Sequence, residues 1–551
     1  MALKQQRFSK PQLLIFAIVF GLVGFIIYKS FAAGTGIYYV DPNGSDTADG
    51  SQATPWKTVA KACLSVPAGN GSTIHINAGS YVENSTCRLP NLTSLIGAGS
   101  GQTIIKASSM SVTPLLLVQN TTGAQTISDI KLDGQNRTTS NYGLQAYSTK
   151  NLTITRISAS GFKNITDNTG SAVDIKDATD FVLSNSTLTN SGGEGSGYCN
   201  GVLGIGNMNR GHIHDLTVST DAGYAVKASG SQVAVTDSEI YNSDFKVLSS
   251  KCANLATLTF EMFQTTASNS QIYNNNFDGI VSLTGPEINP TIGNPKTNGD
   301  KYRWRLHNNQ WTISSGDRYA IESSNNSLEV DHNFVSGGIY PFSYFETQTL
   351  HDDYFHHNVI DNVRWHTVFS FFKSGLQGAI YEKNTVVIRP PIDVGAWYGV
   401  FDFNTNASGN QINSNIFDAT FAMGDKLAAN STTLNSASID NNNFFNITPH
   451  GTNSIAGDPQ LQLSGSFPTA YKPRSVSAAN VGAFADGDWT VGPQQTPAPV
   501  PGDLDGDGHV TVTDLSVLLT YFGTNNPTAD IDKSGKVDIT DLSTLLSHYG
   551  T

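Results

Sequence analysis

The sequence has few charged residues, few cysteines and no run of basic side chains beyond its N-terminus. Charged residues make up 14% of the chain and the net charge is −13. We therefore expect no nucleic acid partner, because phosphate backbones require a cationic surface. An acidic polymer stays possible as a ligand only where a local group of cations overrides the net charge. The cysteines form no Cys-x-x-Cys motif, which argues against a zinc-thiolate or redox site.

Glycine is abundant, at 52 of 551 residues, and Asn, Ser and Thr recur throughout. This composition is typical of a secreted, turn-rich all-β protein and not of a helical cytosolic enzyme. A single ordinary core does not grow to 551 residues, so the length indicates a fold that extends by repetition.

Residues 1–33 have the pattern of an export segment. Lys4, Arg7 and Lys10 precede an apolar run over 13–28, and small residues follow at Ser30 and Ala32. The segment is predicted to be a cleaved signal peptide, and its length also allows an uncleaved membrane anchor. Either alternative places the rest of the chain outside the cell, as a secreted or cell-surface protein.

The four cysteines fit an oxidising compartment. Their spacing favours the disulfides Cys63–Cys87 and Cys199–Cys252, although four cysteines allow three pairings.

Within a domain predicted to span residues 34–490, the chain repeats, to about residue 448, a loose unit of alternating apolar and polar residues that ends at Asn, Asp or Gly. "NLTITRISASGF" and "VAVTDSEIYNSD" are examples. Alternation predicts strands, and the polar residues predict bends. A two-sheet sandwich holds fewer repeats than this, so the pattern favours an all-β solenoid. Asn side chains at stacked turns are expected to form a hydrogen-bonded ladder.

The start of this region carries a resemblance to a known family. The stretches "IYYVDPNGSDTADG", "PWKTVAKAC" and "TIHINAGSYVE" resemble the opening of secreted right-handed parallel β-helix proteins of the pectate-lyase-like superfamily. The resemblance implies a right-handed parallel β-helix whose first coil is covered by a short helix. A helix over the first coil is physically reasonable, because the open end of a solenoid is otherwise an exposed sheet edge.

One strand of each coil aligns with its counterparts, and the residue between two apolar neighbours is expected to point outward. The predicted outward column is Gln145, Asp174, Gly204, Lys227, Glu261, Ser282, Glu322, Ser343, Ser370 and Asp402.

Several residues on or near this column are candidate catalytic groups. Glu261 and Glu322 are two coils apart, about 10 Å, near the carboxylate separation of inverting glycosidases. Lys227 instead fits a lyase, since superfamily lyases typically use Lys or Arg as a base, often with Ca²⁺. Arg318 could bind an acidic sugar, and Asp402 continues the column. The alternative is a solvated ladder of surface ion pairs.

Aromatic residues concentrate in the same region. Trp304, Trp311, Trp365, Trp397 and Tyr398 are candidates for stacking on sugar rings, and the alternative is that they pack loops against the sheet. Two histidine pairs, in "HIHDL" and "FHHN", are interpreted as structural residues of the strand–turn repeats.

The C-terminus contains a Pro-rich linker, 491–501, and a duplicated acidic unit, 502–551. Each copy fits a calcium loop with oxygen donors at alternating positions, Gly at position 6 and Asp at position 12. The predicted donors are Asp503, Asp505, Asp507, His509 (backbone carbonyl), Thr511 and Asp514 in the first copy, and Asp530, Asp532, Ser534, Lys536 (backbone carbonyl), Asp538 and Asp541 in the second.

This doubled loop–helix resembles a type I dockerin, the module that binds cohesin domains. The resemblance implies two Ca²⁺ ions and a cohesin-type partner. Two features depart from the pattern: the spacer between the copies is short, and the usual cohesin-contacting positions hold Val512-Thr513 and Ile539-Thr540 instead of a matched polar pair.

Together these patterns predict a bacterial, carbohydrate-active β-helix enzyme that cleaves a polysaccharide as a lyase or an inverting hydrolase. It is expected to be a monomer moored by the dockerin-like module, with a further Ca²⁺ possible in the β-helix. The alternative is a non-catalytic glycan-binding or adhesive protein.

Overall fold

The structure is a computed structural model, and it describes most of the chain after residue 35. The described residues are 36–137, 142–164, 170–193, 200–221, 223–228, 233–248, 258–262, 265–283, 294–313, 319–323, 327–337, 341–344, 350–363, 367–371, 376–389, 399–402, 408–428, 434, 437–494, 501–504, 510–524, 526, 529–532, 534 and 536–550. The predicted export segment lies outside these residues. Among the residues described, no helix is long and apolar enough to cross a membrane.

The chain divides into two compact units, Met1–Pro493 and Gln494–Thr551. The first unit is a parallel β-helix, in which successive coils add strands to three long parallel sheets. We number the sheets 1, 2 and 3 in the order in which a coil visits them. The predicted all-β solenoid is thereby confirmed.

The strands of sheet 1 are Cys87–Leu89, Leu116–Gln119, Tyr142–Lys150, the start of Ser171–Thr189, Gly201–Ile205, Tyr224–Ala228, Leu258–Met262, Ile280–Leu283, Ile321–Ser323, Phe342–Tyr344, Thr367–Phe371 and Gly399–Asp402. Those of sheet 2 are Ile37–Val40, Thr73–Ile76, Ser94–Gly97, Gln125–Ser128, Leu152–Thr155, the middle of Ser171–Thr189 and of Met208–Thr220, Glu239–Tyr241, Ser270–Tyr273, Trp304–His307, Glu329–Asp331, Tyr354–His356, Ile380–Glu382, Gln411–Asn413 and Ser438–Asp440.

The strands of sheet 3 are Gly79–Glu83, Thr103–Ala107, Lys131–Arg137, Ser158–Asn164, the ends of Ser171–Thr189 and Met208–Thr220, Asp244–Val247, Asn276–Asp278, Gln310–Thr312, Phe334–Ser336, Val359–Val363, Thr385–Ile388, Ile416–Ala419, Asn443–Phe445 and Ile455–Ala456. The remaining strands are Gly192–Gly193, Val233–Thr236, Thr265–Ser268, Leu350–His351 and Leu376–Gln377.

A single residue turns the chain from sheet 2 into sheet 3. That residue has a positive φ, as at Asn274 (54°), Asn308 (55°) and His357 (54°). The left-handed conformation is least unfavourable for Asn and other short polar side chains, which explains why Asn recurs at this corner.

The residue after this corner points inward and forms a buried asparagine ladder. Its members are Asn275, Asn309, Asn333, Asn358, Asn384, Asn415 and Asn442. Each Nδ2 donates to the Oδ1 of the next Asn at 2.9–3.1 Å. The predicted ladder is confirmed, and it satisfies polar groups that would otherwise be buried without partners.

A short helix, α1 (Val59–Ser65), packs on the first coils. Both oxygens of the buried Glu83 carboxylate accept backbone N–H bonds from its first turn, from Val59 and Ala60 at 2.9 Å. The disulfide Cys63–Cys87 links α1 to the first strand of sheet 1, as predicted. The other predicted pair involves Cys199 and Cys252, which lie outside the described residues.

The end of the first unit, residues 457–493, packs over sheet 3, and we call it the tail. It includes two 3₁₀ turns, Thr469–Tyr471 and Val476–Ala478. Apolar tail residues such as Tyr471 cover side chains of sheet 3 that point away from the core, among them Val359 and Val387.

The second unit contains helices α2 (Val512–Tyr521) and α3 (Ile539–Ser547). They enclose a small apolar core, which consists of Val510, Leu518, Ala529, Val537 and Leu545.

Candidate functional site

The outward column predicted on sheet 1 is present in the strand register. Gln145 pairs with Asp174, and successive pairings run through Gly204, Lys227, Glu261, Ser282, Glu322, Ser343 and Ser370 to Asp402. The parallel sheet places neighbouring members about 4.8 Å apart. Their catalytic role stays a prediction.

Lys227 and Glu261 form the central ion pair of this column. Nζ of Lys227 lies 3.6 Å from Oε2 of Glu261, and the two side chains are only 15% and 8% exposed. Their neighbours Val226, Phe260 and Met262 are buried on the opposite face, which explains why the two polar groups share the outer face.

Burial shifts both members of the pair towards their neutral forms. It lowers the pKa of Lys227, although the attraction of Glu261 opposes that shift. It also raises the pKa of Glu261, against the attraction of Lys227. In both groups desolvation outweighs the partner's charge, so proton exchange between them is easier than in an exposed ion pair.

Aromatic packing fixes the position of the lysine. The Lys227 ammonium lies 4.9 Å from the centre of the Tyr224 ring. Tyr224 in turn packs with Ile280 and Tyr319 in a small cluster outside the main core. Tyr224 was not predicted as a site residue. The sequence shows that it lies close to Lys227 along the chain, but not that its ring folds over the ammonium.

A second buried carboxylate lies two register positions away from Lys227, across Gly204. One oxygen of Asp174 accepts bonds from Gln145 Nε2 (3.3 Å) and Tyr147 Oη (3.0 Å), and Lys176 Nζ lies 3.5 Å away. Asp174 was identified in the column but not as a candidate site residue.

Glu322 lies two register positions beyond Glu261, with Ser282 between them, and is half-buried. Asp402 ends the column. Arg318, predicted to bind an acidic sugar, lies outside the described residues.

The structure corrects the prediction for two of the aromatic residues. Trp304 and Trp311 are both 0% exposed and point into the solenoid, where Trp311 stacks on Phe277 at 5.0 Å. They alternate with the outward residues Arg305 and Gln310, so neither ring is available to a sugar. Trp365, Trp397 and Tyr398 lie outside the described residues, and their predicted role stays open.

In the second unit, three of the predicted calcium ligands converge. Carboxylate oxygens of Asp530, Asp532 and Asp541 lie within 4.8 Å of one another. Asp541 also accepts backbone N–H bonds from Ile531 (2.7 Å) and Asp538 (2.8 Å).

The first loop has the same design at its described positions. Asp514 accepts bonds from the backbone N–H groups of Leu504 and Thr511, both at 2.7 Å. Asp505, Asp507 and His509 lie outside the described residues. Carboxylate-rich loops of this kind suit Ca²⁺.

Comparison with known proteins identifies the second unit. Residues 501–548 match the dockerin type I domain family, which binds calcium and occurs on extracellular proteins. The resemblance found in the sequence is therefore confirmed: the chain is a parallel β-helix with a C-terminal dockerin type I domain. No curated protein matches the chain.

Solved structures similar to the β-helix share little sequence with it. They include ORF18 of Geobacillus virus E2 (11% identity, 72% of this chain and 63% of that chain covered, TM-score 0.35) and the pectate lyase Pel9A (15%, 55% and 80%, 0.33). Another is the tailspike protein gp49 of Acinetobacter baumannii bacteriophage Fri1, a capsular polysaccharide depolymerase (13%, 76% and 64%, 0.40). The chain spans less than two thirds of the length of the first of these. At these identities the similarity extends to the fold and no further.

Proposed function

We propose that the β-helix cleaves an acidic polysaccharide by elimination, with Lys227 and Glu261 as the reacting groups. The observation that supports this is the buried ion pair itself, whose pKa values are shifted towards a free amine and a protonated carboxyl. A free base beside a protonated acid is the combination that general acid–base catalysis requires.

The elimination step balances with these two groups. The Lys227 amine takes the proton on the carbon next to the uronate carboxylate. The bond between the neighbouring carbon and the glycosidic oxygen breaks, a carbon–carbon double bond forms, and the leaving oxygen takes the proton of Glu261. Lys227 is then an ammonium and Glu261 a carboxylate, 3.6 Å apart, so a proton can return to Glu261 between turnovers.

Hydrolysis is the second candidate, because Glu322 lies two register positions from Glu261. This separation, about 10 Å, is near that of inverting glycosidases. Glu261, whose pKa is raised by burial, would then protonate the leaving oxygen, and Glu322 would activate water.

The dockerin domain supports an extracellular setting for this activity. We propose that it holds two Ca²⁺ ions and attaches the enzyme to a cohesin-type partner, after export directed by residues 1–33. The dockerin match and the converging carboxylates of Asp530, Asp532 and Asp541 support this part of the proposal.

A panel of polysaccharides tests the proposal. Products are scored by new reducing ends, which any cleavage gives, and by the ultraviolet absorbance of an unsaturated uronate, which only elimination gives. We expect wild type to give both, and Lys227→Ala and Glu261→Gln to lose at least about 100-fold in rate, as removal of an acid or base does. Lys246→Ala and Glu239→Gln, on sheets 3 and 2, serve as matched controls and should keep activity.

The other outcomes separate the alternatives. New reducing ends without the ultraviolet absorbance of an unsaturated uronate would establish hydrolysis, if Glu322→Gln abolishes their formation. Binding to a polysaccharide without new reducing ends would establish a glycan-binding protein and reject catalysis at sheet 1.

A further inference from the structure

A second group of ionisable side chains lies on the outer face of sheet 2, away from the candidate site on sheet 1. Glu329, Asp331 and His356 lie on two adjacent strands, and His332 and His357 are the corner residues that follow those strands. The sequence analysis interpreted His356 and His357 as structural residues. Their contacts in the structure show an additional feature.

Three of these groups, Glu329, His356 and His357, form a continuous chain with Asp486 of the tail. Glu329 Oε1 lies 3.2 Å from His356 Nε2, His356 Nδ1 lies 2.8 Å from His357 Nδ1, and His357 Nε2 lies 2.8 Å from Asp486 Oδ2 in the tail. Each of these three contacts needs a hydrogen between its atoms. Two neutral imidazoles carry only two hydrogens, and ionised carboxylates carry none, so one of the three contacts has no hydrogen.

One arrangement of the hydrogens places the gap at the Glu329 end of the chain. When Asp486 accepts from His357 and His357 accepts from His356, Nε2 of His356 presents a lone pair to Glu329. The other oxygen of Glu329, Oε2, is buried and has no hydrogen-bond partner among the described residues. A proton on His356 would satisfy one contact and still leave Oε2 alone, and such a buried acceptor is unfavourable.

We propose that this face of sheet 2 binds one divalent transition-metal ion through His356, His332, Asp331 and Glu329. One donor atom from each of Asp331, His332 and His356 lies within 4.8 Å of the others. Glu329 adjoins this group through its contact with His356. The side chains of Asp331, Glu329 and His356 are at most 10% exposed, as expected for ligands fixed in place.

Arg305 is compatible with this ligand set. Its guanidinium donates to both oxygens of Asp331 at 2.9 Å, and His332 Nδ1 lies 2.7 Å from Oδ2. These bonds use three of about four lone-pair directions of the carboxylate, so one remains on Oδ1. Arg305 thereby orients Asp331 and offsets part of the charge of the two carboxylates.

The donors indicate the class of metal. Imidazoles with carboxylates suit Zn²⁺, Co²⁺ or Ni²⁺, whereas Ca²⁺ prefers oxygen ligands alone. Zn–N distances are about 2 Å, so the donors must move closer together on binding. His332, at 29% exposed, is the least buried of the four proposed ligands. His357 and Asp486 would act as the outer partners that fix the ring of His356.

Metal binding to the full chain tests the proposal. The protein is kept in excess Ca²⁺, which fills the dockerin loops, and Zn²⁺ is measured by equilibrium dialysis and metal analysis. We expect one equivalent of Zn²⁺ for wild type, and affinity at least about 100-fold weaker for His356→Ala and about 10-fold weaker for Glu329→Gln. His450→Ala, which removes a comparable His–Asp pair with Asp425, should bind as wild type does.

A second readout does not depend on the folding of any variant. Co²⁺ bound to imidazole and carboxylate ligands gives visible absorption, and Zn²⁺ should displace it from wild type. No Zn²⁺ binding by wild type would overturn the proposal. A folded His356→Ala variant that binds Zn²⁺ with the affinity of wild type would also overturn the proposal.

Discussion

At the scale of single residues, burial of a carboxyl group has a measurable consequence at Asp418. This residue lies in sheet 3 and is 5% exposed. Its pKa is raised to about 6, mainly by burial and also by the charges of Asp458 and Asp361, while Arg389 opposes the shift. The folded protein therefore favours the neutral form of this side chain.

We predict that Asp418→Asn stabilises the protein at neutral and alkaline pH only. A pKa raised in the folded state contributes stability that is complete below the ordinary value of 3.8 and is lost as pH rises through about 6. Asn does not ionise and so avoids that loss. The free energy of unfolding of the variant should therefore exceed that of wild type by up to about 3 kcal/mol near pH 8 and equal it near pH 3.5. Urea unfolding at both pH values measures this.

The control for that experiment is Asp488→Asn, since Asp488 is 69% exposed and pairs with Lys472 at the surface. It should change stability by less than about 1 kcal/mol at either pH. A stabilisation of Asp418→Asn that is equal at both pH values would contradict the assignment to ionisation.

Residue positions on sheet 1 were predictable because a strand alternates strictly between two faces. Lys227 and Glu261 each lie between apolar residues and Glu322 follows Ile321, so the sequence alone places them outside. The same rule applied to Trp304 and Trp311 would have placed both rings inside. Grouping tryptophans by proximity in sequence ignored this alternation.

At the scale of elements, the asparagine ladder joins successive coils between sheets 2 and 3. The side chain of Asn358 makes four hydrogen bonds. Its Oδ1 accepts from the backbone N–H and the Nδ2 of Asn333, and its Nδ2 donates to Val330 O and Asn384 Oδ1. All of these partners are buried, so no water replaces a lost bond.

We predict that Asn358→Ala destabilises the β-helix by roughly 2–4 kcal/mol, because it leaves buried groups of both neighbouring coils unpaired. The midpoint of urea unfolding measures the change. Asn276→Ala is the matched control, because Asn276 donates to Asp244 on the exposed face of sheet 3. If the two substitutions had equal effects, the ladder would have no special role in stability.

The asparagine ladder and the proposed metal site on sheet 2 differ in how well the sequence predicts them. Asn recurs once per coil just after the corner, and a repeat of that kind predicts a ladder. The cluster on sheet 2 joins Glu329 and His356 to Asp486 of the tail. Nothing local marks Asp486, because its position depends on how the tail folds back over the solenoid.

At the scale of the whole molecule, the two units obtain their stability in different ways. The β-helix has a continuous apolar core from Val40 to Ile447. Among its described residues, the dockerin domain has five fully buried apolar side chains in its core. A core of that size contributes little, so folding of the domain is expected to depend on its metal ions.

We therefore predict that removal of Ca²⁺ unfolds the dockerin domain and leaves the β-helix folded. In calorimetry, EGTA should abolish or lower a small transition and leave the main transition unchanged. Asp541→Ala should have a similar but partial effect, because Asp541 lies among the converging carboxylates and also accepts N–H bonds from the loop. Titration should then fall from two equivalents of Ca²⁺ to one.

Asp425→Ala in the β-helix controls for the loss of a carboxylate and should keep both equivalents. A main transition that falls together with the small one on chelation, and that Ca²⁺ alone restores after the chelated metals are dialysed away, would show that Ca²⁺ also stabilises the β-helix, and would place a further ion there. If instead only the dockerin transition responds, we expect the proposed cohesin-type attachment to depend on calcium and the proposed chemistry at sheet 1 to be independent of it. Chelated enzyme should then still cleave soluble substrate at its full rate.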